Sequence, residues 1–240
     1  MSSKLDSHIG AYGDSFRYAF DNDIILNWYP ERVKQLTLSS HTMLELGIGH
    51  GYTTSAFSRH FARHVVIDGS QAVIDQFREQ FPDCGAELVK GYFEDFDTDE
   101  RFDIVMMGFV LEHVEDPGRI LRHFRRFLKP DGRCFIAVPN GESLHRRLGH
   151  AAGLLDDMMA LGSGDEALGH VRQYSAASLA LELEKSGYRV TRREGIFLKP
   201  FTTAQMQQLA LDAPIIEAMC KVGVDYPELC AALLFEASAA

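Results

Sequence analysis

Between residues 42 and 139, short apolar runs alternate with stretches in which apolar residues recur at helical spacing. The runs are "TMLELG", "HVVIDG", "AELVKG", "FDIVMMGFV" and "RCFIAVP". Each is short and closed by a turn-forming or polar residue, so each predicts a buried strand. Residues 51–62, 71–81 and 117–129 predict the helices between them. In "DPGRILRHFRRFLKPDG", Asp116 serves as N-cap and Pro117 opens the first turn. Ile120, Leu121, Phe124, Phe127 and Leu128 form the apolar stripe, with Pro130 and Gly132 as the stop. Apolar strands alternating with helices belong to a mostly parallel sheet covered on both faces.

The pattern changes at both ends of this stretch. Residues 140–172 are richer in Gly, Asp and His, and they predict an insertion over the carboxyl ends of the strands, where ligands of open α/β sheets bind. A helix over 175–186 follows, with Ser175 as cap and Gly187 as stop, and then a strand in "YRVTRREGIF". A helical stretch over 203–223 leads to "AALLFEASA", read as an antiparallel strand closing the sheet. The expected fold is therefore α/β: one Rossmann-like domain over 1–240, with a seven-stranded mostly parallel sheet and helices on both faces. Residues 1–40, with the aromatic "FRYAFDNDIILNWYP", are expected to form a helical lid, and 140–172 and 200–226 to be insertions. The stripe Leu209, Leu211, Ile215, Ile216 and Met219 suits either core packing or a dimer face, leaving monomer and homodimer both open.

Bulk properties narrow the partners. A formal charge of -10 with pI near 5.4 opposes a nucleic-acid partner, because such affinity comes from Lys and Arg neutralising phosphates. Arg119, Arg122, Arg125, Arg126 and Lys129 read as the solvated face of a helix. Cys84, Cys134, Cys220 and Cys230 form no C-x-x-C pair and suit a reducing compartment. The opening "MSSKLDSHIGAYGDS" has no apolar signal core, and no run reaches about eighteen apolar residues. A cytoplasmic protein without membrane association is expected.

The chemistry starts at "MLELGIGHGYTT". Glycines at 47, 49 and 51 between a strand and a helix allow a ligand to approach bare backbone at a helix N-terminus. Dinucleotide enzymes space such glycines G-x-G-x-x-G, whereas this run is E-x-G-x-G-x-G. Glu45 repels a pyrophosphate and suits a cationic ligand, which counts against a nicotinamide oxidoreductase. Asp68, followed by Gly69, ends the second strand where an acid accepts hydrogen bonds from both ribose hydroxyls. A nucleoside with a positively charged, phosphate-free tail fits, and S-adenosylmethionine is such a molecule.

With "LELGIGHG", "VVIDGS", "GYFEDF", "LEHVEDPGRILRHFRRFLKPDGRCFIAVPN" and "GHVRQYSAASLALELEKSGY", the chain resembles class I S-adenosylmethionine-dependent methyltransferases over roughly residues 40–195. It is most similar to the small-molecule branch related to ubiquinone-pathway O-methyltransferases. The resemblance implies that Glu45, Gly47, Gly49 and Gly51 form the first cofactor loop and that Asp68 takes the ribose. It also implies that Phe93 and Glu94 flank the adenine and that the Gly108 carbonyl meets the methionyl ammonium. Where many relatives have Gly-Asp-Ala, this chain has Gly91, Tyr92 and Phe93, which opens a place for Tyr92 at the reaction site.

Methyl transfer needs alignment and exclusion of water more than a strong base. Tyr12, Phe16, Tyr18, Phe20, Tyr92 and Tyr174 are candidate cage members for a sulfonium, Tyr18 being the one assigned to the cofactor. His113 in "LEHV" is the candidate base for a hydroxyl acceptor. His170, Tyr174 and Asn140 are candidates to reach the same cleft, whereas His145 and His150 read as surface residues. No His, Asp and Glu stand at metal-ligand spacing, so no catalytic metal is expected. The absence of an N-P-P-Y or D-P-P-Y run, with the acidic charge, favours a small-molecule acceptor over DNA or RNA. Two other readings stay open: cyclisation of the cofactor's aminobutyrate chain to azetidine-2-carboxylate with release of methylthioadenosine, and a non-catalytic cofactor-binding subunit.

Overall fold

A computed structural model of the protein describes residues 19–240. Its strands are β1 (Thr42–Leu46), β2 (Arg63–Asp68), β3 (Glu87–Lys90), β4 (Phe102–Gly108), β5 (Leu128–Pro139), β6 (Tyr188–Ile196) and β7 (Ala232–Ala239). They form one seven-stranded sheet in the order β3-β2-β1-β4-β5-β7-β6. Neighbours from β3 to β5 pair parallel, while β7 runs antiparallel to both β5 and β6. The Rossmann-like sheet expected from the apolar runs is the one found.

Alternation along the strands divides the core. Leu44, Leu46, Val105, Met107, Cys134, Ile136 and Val138 pack with α4 (Pro117–Arg125) and α7 (Ala176–Lys185). Their in-between neighbours Met43, Ile104, Met106, Phe135 and Ala137 pack with α1 (Ala19–Gln35) and α2 (Tyr52–Ser58). The same cluster includes Met206 of α8 (Thr203–Leu209) and Cys220 of α9 (Ala213–Gly223). Val66 and Ile48 meet α3 (Gln71–Gln80) through Val73, Ile74 and Phe77. Period-two burial on both faces is what a sheet sandwiched between helices demands. Each such Leu, Ile or Phe contributes about 1.5–3 kcal/mol relative to exposure.

Two helices differ from their expected spans. The one expected over 117–129 ends at Arg125, because pairing with β4 takes over. Phe102 pairs with Leu128, and the register then skips to Ile104 opposite Arg133. Gly132 serves that irregularity, since a Cβ there would stand 2.9 Å from Lys129 N and Phe102 O. The stretch expected over 203–223 breaks between α8 and α9, where Ala210 adopts φ 44° and Pro214 opens the second helix. The apolar stripe is divided accordingly. Leu211, Ile216 and Met219 pack on the core, while Leu209 and Ile215 are half-exposed.

Residues 140–172 leave and rejoin the sheet at one point: Gly141 N donates to Tyr174 O at 2.7 Å, beside an isolated bridge between Asn140 and Tyr174. This segment carries α5 (Leu144–Ala151) and α6 (Ser163–Leu168). Helix α1 is fixed to the body at two places. Arg32 grips Glu194 of β6 with two nitrogens, at 3.0 and 2.7 Å, and Asp21 is buried with Lys199 and Thr203. Tyr12, Phe16 and Tyr18 lie outside the described residues. Among the described residues, no helix is long and apolar enough to cross a membrane.

Candidate active site

The chain runs from β1 outward to β2 and β3, then crosses to β4 on the other side. This reversal opens a crevice at the carboxyl ends of β1 and β4, and the glycine turn lies in it. Gly47, Gly49 and Gly51 have φ of 78°, 54° and 81°, in the left-handed region that a Cβ disfavours. Their surroundings differ. A Cβ on Gly51 would come within 2.6 Å of the Phe77 ring, so that glycine lets α3 pack closely. On Gly49 it would meet nothing within 4 Å, so the backbone there faces open space. At Gly47 the nearest atoms are Phe93 Cζ and Val110 Cγ2, both at 3.9 Å, which brings Phe93 beside the turn.

Asp68 links the two strand ends. One oxygen accepts from Ile48 N at 2.9 Å and the other from Ser70 N at 2.8 Å, across Gly69. Burial pushes its carboxyl above the usual range, and these two amides oppose the shift. Two amide bonds do not exhaust a carboxylate's lone pairs, so both oxygens keep acceptor capacity for a diol.

Glu45 lies behind the turn, buried, accepting from Thr54 Oγ1 at 2.8 Å with His64 Nε2 at 3.0 Å. It anchors the start of α2 and puts negative charge beneath the crevice. Gly108 ends β4, and a Cβ there would stand 2.6 Å from the Tyr29 hydroxyl. That buried hydroxyl is held far above the phenol range by desolvation and by the charge of Glu45. Phe109 follows with φ 57°, an uncommon conformation for an aromatic residue. Its ring packs edge-on to Tyr29 with centroids 5.8 Å apart. Tyr92 and Glu94 are exposed on either side of Phe93, in a single 3-10 turn and its cap. Phe20 packs on Phe197, with centroids 6.5 Å apart.

The loop after β4 meets the end of the insertion. Arg172 donates to Leu111 O at 2.7 Å and Glu115 O at 2.9 Å, and also to Val114 O. Val171 N donates to Glu112 O at 2.8 Å. These bonds bring His170 against His113, ring centroids 4.8 Å apart. His170 Nδ1 lies 3.2 Å from Asp165 Oδ1, and His113 Nδ1 lies 3.3 Å from Gly169 O. Glu112 beside them is 1 % exposed, and neither carboxylate oxygen has a hydrogen-bond partner. Desolvation raises its carboxyl to about 8. Tyr174 is buried with its hydroxyl also unpartnered, and burial pushes that group above the phenol range.

Asn140 is engaged in the fold. Its Nδ2 donates to the carbonyls of Pro227, Glu228 and Cys230 at 3.3, 3.2 and 2.9 Å, and its Oδ1 accepts from Glu142 N at 2.9 Å. The amide nitrogen is committed to tying the turn before β7 to the end of β5, and the side chain is buried there. His145, read as a surface residue, is half-buried. Desolvation and the charges of Lys199 and Arg146 hold its imidazole down to about 3.

The structure thus gathers the turn, Asp68 and Gly108 at one end and His113 with His170 at the other, and it sets beside them Tyr29, Glu112 and Arg172, which the sequence reading did not name. A carboxylate inside the apolar "FVLEHV" was the available signal for Glu112, since an acid in such a run is buried. Tyr29 carried no comparable mark within a helix already rich in aromatics.

A family model described as a methyltransferase domain matches residues 23–193. The chain is 32% identical over 118 residues to a cypemycin N-terminal methyltransferase of Streptomyces sp, covering 48% of each chain. It is 31% identical over 120 residues to a ubiquinone biosynthesis O-methyltransferase of Coxiella burnetii, covering 46% of this chain and 50% of that one. The chain thus spans about half the length of the curated relatives it matches. Among solved structures, the N-methyltransferase NodS of Bradyrhizobium japonicum, in complex with S-adenosyl-L-homocysteine, superposes with a TM-score of 0.61 at 14% identity. That superposition covers 97% of this chain and 96% of the other, a likeness of fold.

Proposed function

Because the chain belongs to the methyltransferase-domain family of S-adenosylmethionine-dependent enzymes, we propose that it methylates a small-molecule metabolite in the crevice between β1 and β4. The observation that carries this is the pairing of open backbone at Gly49 with Asp68, whose oxygens are fixed by the Ile48 and Ser70 amides. That pairing fits a nucleoside with a phosphate-free cationic tail, and the buried charge of Glu45 beneath the turn fits it too. When bound, S-adenosylmethionine supplies a methyl group made electrophilic by its sulfonium.

In this reading Asp68 accepts from the ribose hydroxyls, the turn from Gly47 to Gly51 carries the amino-acid end, and Phe93 with Glu94 flanks the base. The Gly108 carbonyl takes the ammonium, and Tyr29 closes the floor beneath it. The acceptor sits against the loop after β4. There His113 takes its proton on Nε2, and His170 and Glu112 steady the resulting imidazolium. Tyr174 forms an apolar wall that keeps water out. The net charge of -10 and the metabolite and peptide pathways named for the relatives support a small acceptor over nucleic acid.

The test is incubation with S-adenosylmethionine, alone and with a fractionated metabolite extract, read by mass spectrometry. S-adenosylhomocysteine formed only with extract, beside a product heavier by one methyl, is the expected outcome. Methylthioadenosine released without extract refutes methyl transfer in favour of cyclisation. Failure of S-adenosylhomocysteine to bind in calorimetry refutes the site itself.

A further inference from the structure

Glu112, His113 and His170 each present a ligand atom, all within 4.8 Å of one another. Two features of the cluster point to an ion. First, the Glu112 carboxylate is sealed from solvent with both oxygens unpartnered, and its neighbour Arg172 is committed to backbone carbonyls. A bare buried carboxylate is costly and calls for a proton or a cation. Second, each imidazole has Nδ1 set against an acceptor: a carboxylate for His170 at 3.2 Å and a backbone carbonyl for His113 at 3.3 Å. This is the outer-shell arrangement that fixes the tautomer and ring orientation of metal-bound histidines.

We propose that these three side chains form a binding site for a divalent transition ion of the zinc type, at the acceptor end of the crevice. The inference deepens the methyltransferase reading and rests on it only in taking the loop after β4 to face the acceptor. Two imidazoles and one carboxylate suit zinc and its first-row neighbours, which then keep a coordination position open. Magnesium and calcium favour all-oxygen sets. Ligand atoms about 2.1 Å from a tetrahedral ion stand about 3.4 Å apart, so the cluster must contract on binding. At the open position the ion takes an acceptor hydroxyl and lowers its pKa, as zinc does for bound water. The oxygen's proton passes to solvent and the O–H electron pair stays on oxygen. The acceptor class is therefore a hydroxyl compound, and in the ion-loaded protein His113 holds the ion in place of taking the acceptor's proton.

The experiment is titration of the chelator-treated full chain with Zn2+ by calorimetry, without S-adenosylmethionine, and with Co2+ by visible absorption. Expected is one ion per chain with a dissociation constant in the micromolar range or tighter, and ligand-field bands typical of low-coordinate Co2+. Glu112→Gln and His170→Ala should weaken Zn2+ binding at least tenfold and remove the bands, while His150→Ala leaves both unchanged. Should His170→Ala fail to fold, the near-isosteric Glu112→Gln carries the comparison. No binding by the wild type, or equal affinity in wild type and Glu112→Gln, overturns the proposal. S-adenosylhomocysteine binding on the same samples separates the two readings: retained without Zn2+ binding, it sinks only the metal site, and its loss in the wild type sinks the cofactor site.

Discussion

The two ends of the crevice are built in opposite ways. The cofactor end comes from two adjacent βα turns, with Asp68 reaching Ile48 across only twenty positions of sequence. The end proposed for the acceptor is gathered from afar: His113 meets Gly169 across 56 positions, and Arg172 reaches Leu111 across 61. Local turns are rigid and generic to a nucleoside. A surface assembled from the loop after β4 and an insertion can change one part at a time, which suits the side on which the proposed acceptor binds. Substitutions at the two ends should accordingly fall on different observables, turnover at one and cofactor affinity at the other.

The sharpest contrast is His113→Ala. With the residue at the acceptor, turnover should fall about a hundredfold or more, some 2.7 kcal/mol in the barrier, while S-adenosylhomocysteine affinity in calorimetry stays within a factor of two or so. Turnover near that of the wild type would reduce the ring to a prop for the Gly169 carbonyl and dissolve the distinction between the two ends.

Asp68→Ala reverses the signature. Loss of charge-assisted bonds to the ribose should weaken cofactor binding by about 2 kcal/mol, roughly thirtyfold. Turnover at saturating cofactor should change far less. Unchanged affinity in the same calorimetric titration would mean that the ribose lies elsewhere.

How much of this was legible in the sequence follows the same division. Strands, their apolar faces and the glycine turn are encoded within a few residues of each other, so periodicity and spacing predicted them. Gly51 shows where such reading stops. It stands in the turn for the same apparent reason as Gly49, yet the Phe77 ring is what requires it. The helix over 117–129 was drawn too long because its stripe ran on into Phe127 and Leu128, residues that instead begin the pairing with β4. Metal-ligand spacing was sought along the chain, whereas His170 comes beside Glu112 through the contacts of Val171 and Arg172. Asn140 was assigned to the cleft from its height beyond β5, a position that says nothing of its partners. Which carbonyls its amide reaches depends on a turn nearly ninety residues later.

Asn140→Ala tests whether the residue serves the fold or the acceptor. A residue that ties three carbonyls to the end of β5 should affect folding before catalysis, at about 1.5 kcal/mol, or a melting temperature lower by about 3–6 °C for a chain of this size. Thermal unfolding and turnover below the transition read the two effects separately. A hundredfold loss of turnover without loss of stability would return Asn140 to the acceptor.

The gentlest probe is the pH dependence of folding, away from both ends of the crevice. His145 opens α5, its Nδ1 3.0 Å from Ser143 Oγ, and its imidazole is held down to about 3 by desolvation, then by Lys199 and Arg146. In the unfolded chain the ring titrates near 6.5. Below that pH the unfolded state therefore binds a proton that the folded state refuses, and stability falls as pH drops from about 6.5 toward 3. Partial exposure of the ring tempers the effect to about 1 kcal/mol between pH 7 and pH 5. His145→Gln keeps a polar partner for Ser143 and removes the titration. The variant should thus gain on the wild type by that amount in urea unfolding at pH 5, relative to pH 7. A difference independent of pH would mean that the ring is protonated where it stands, beside the buried Lys199 and Asp21.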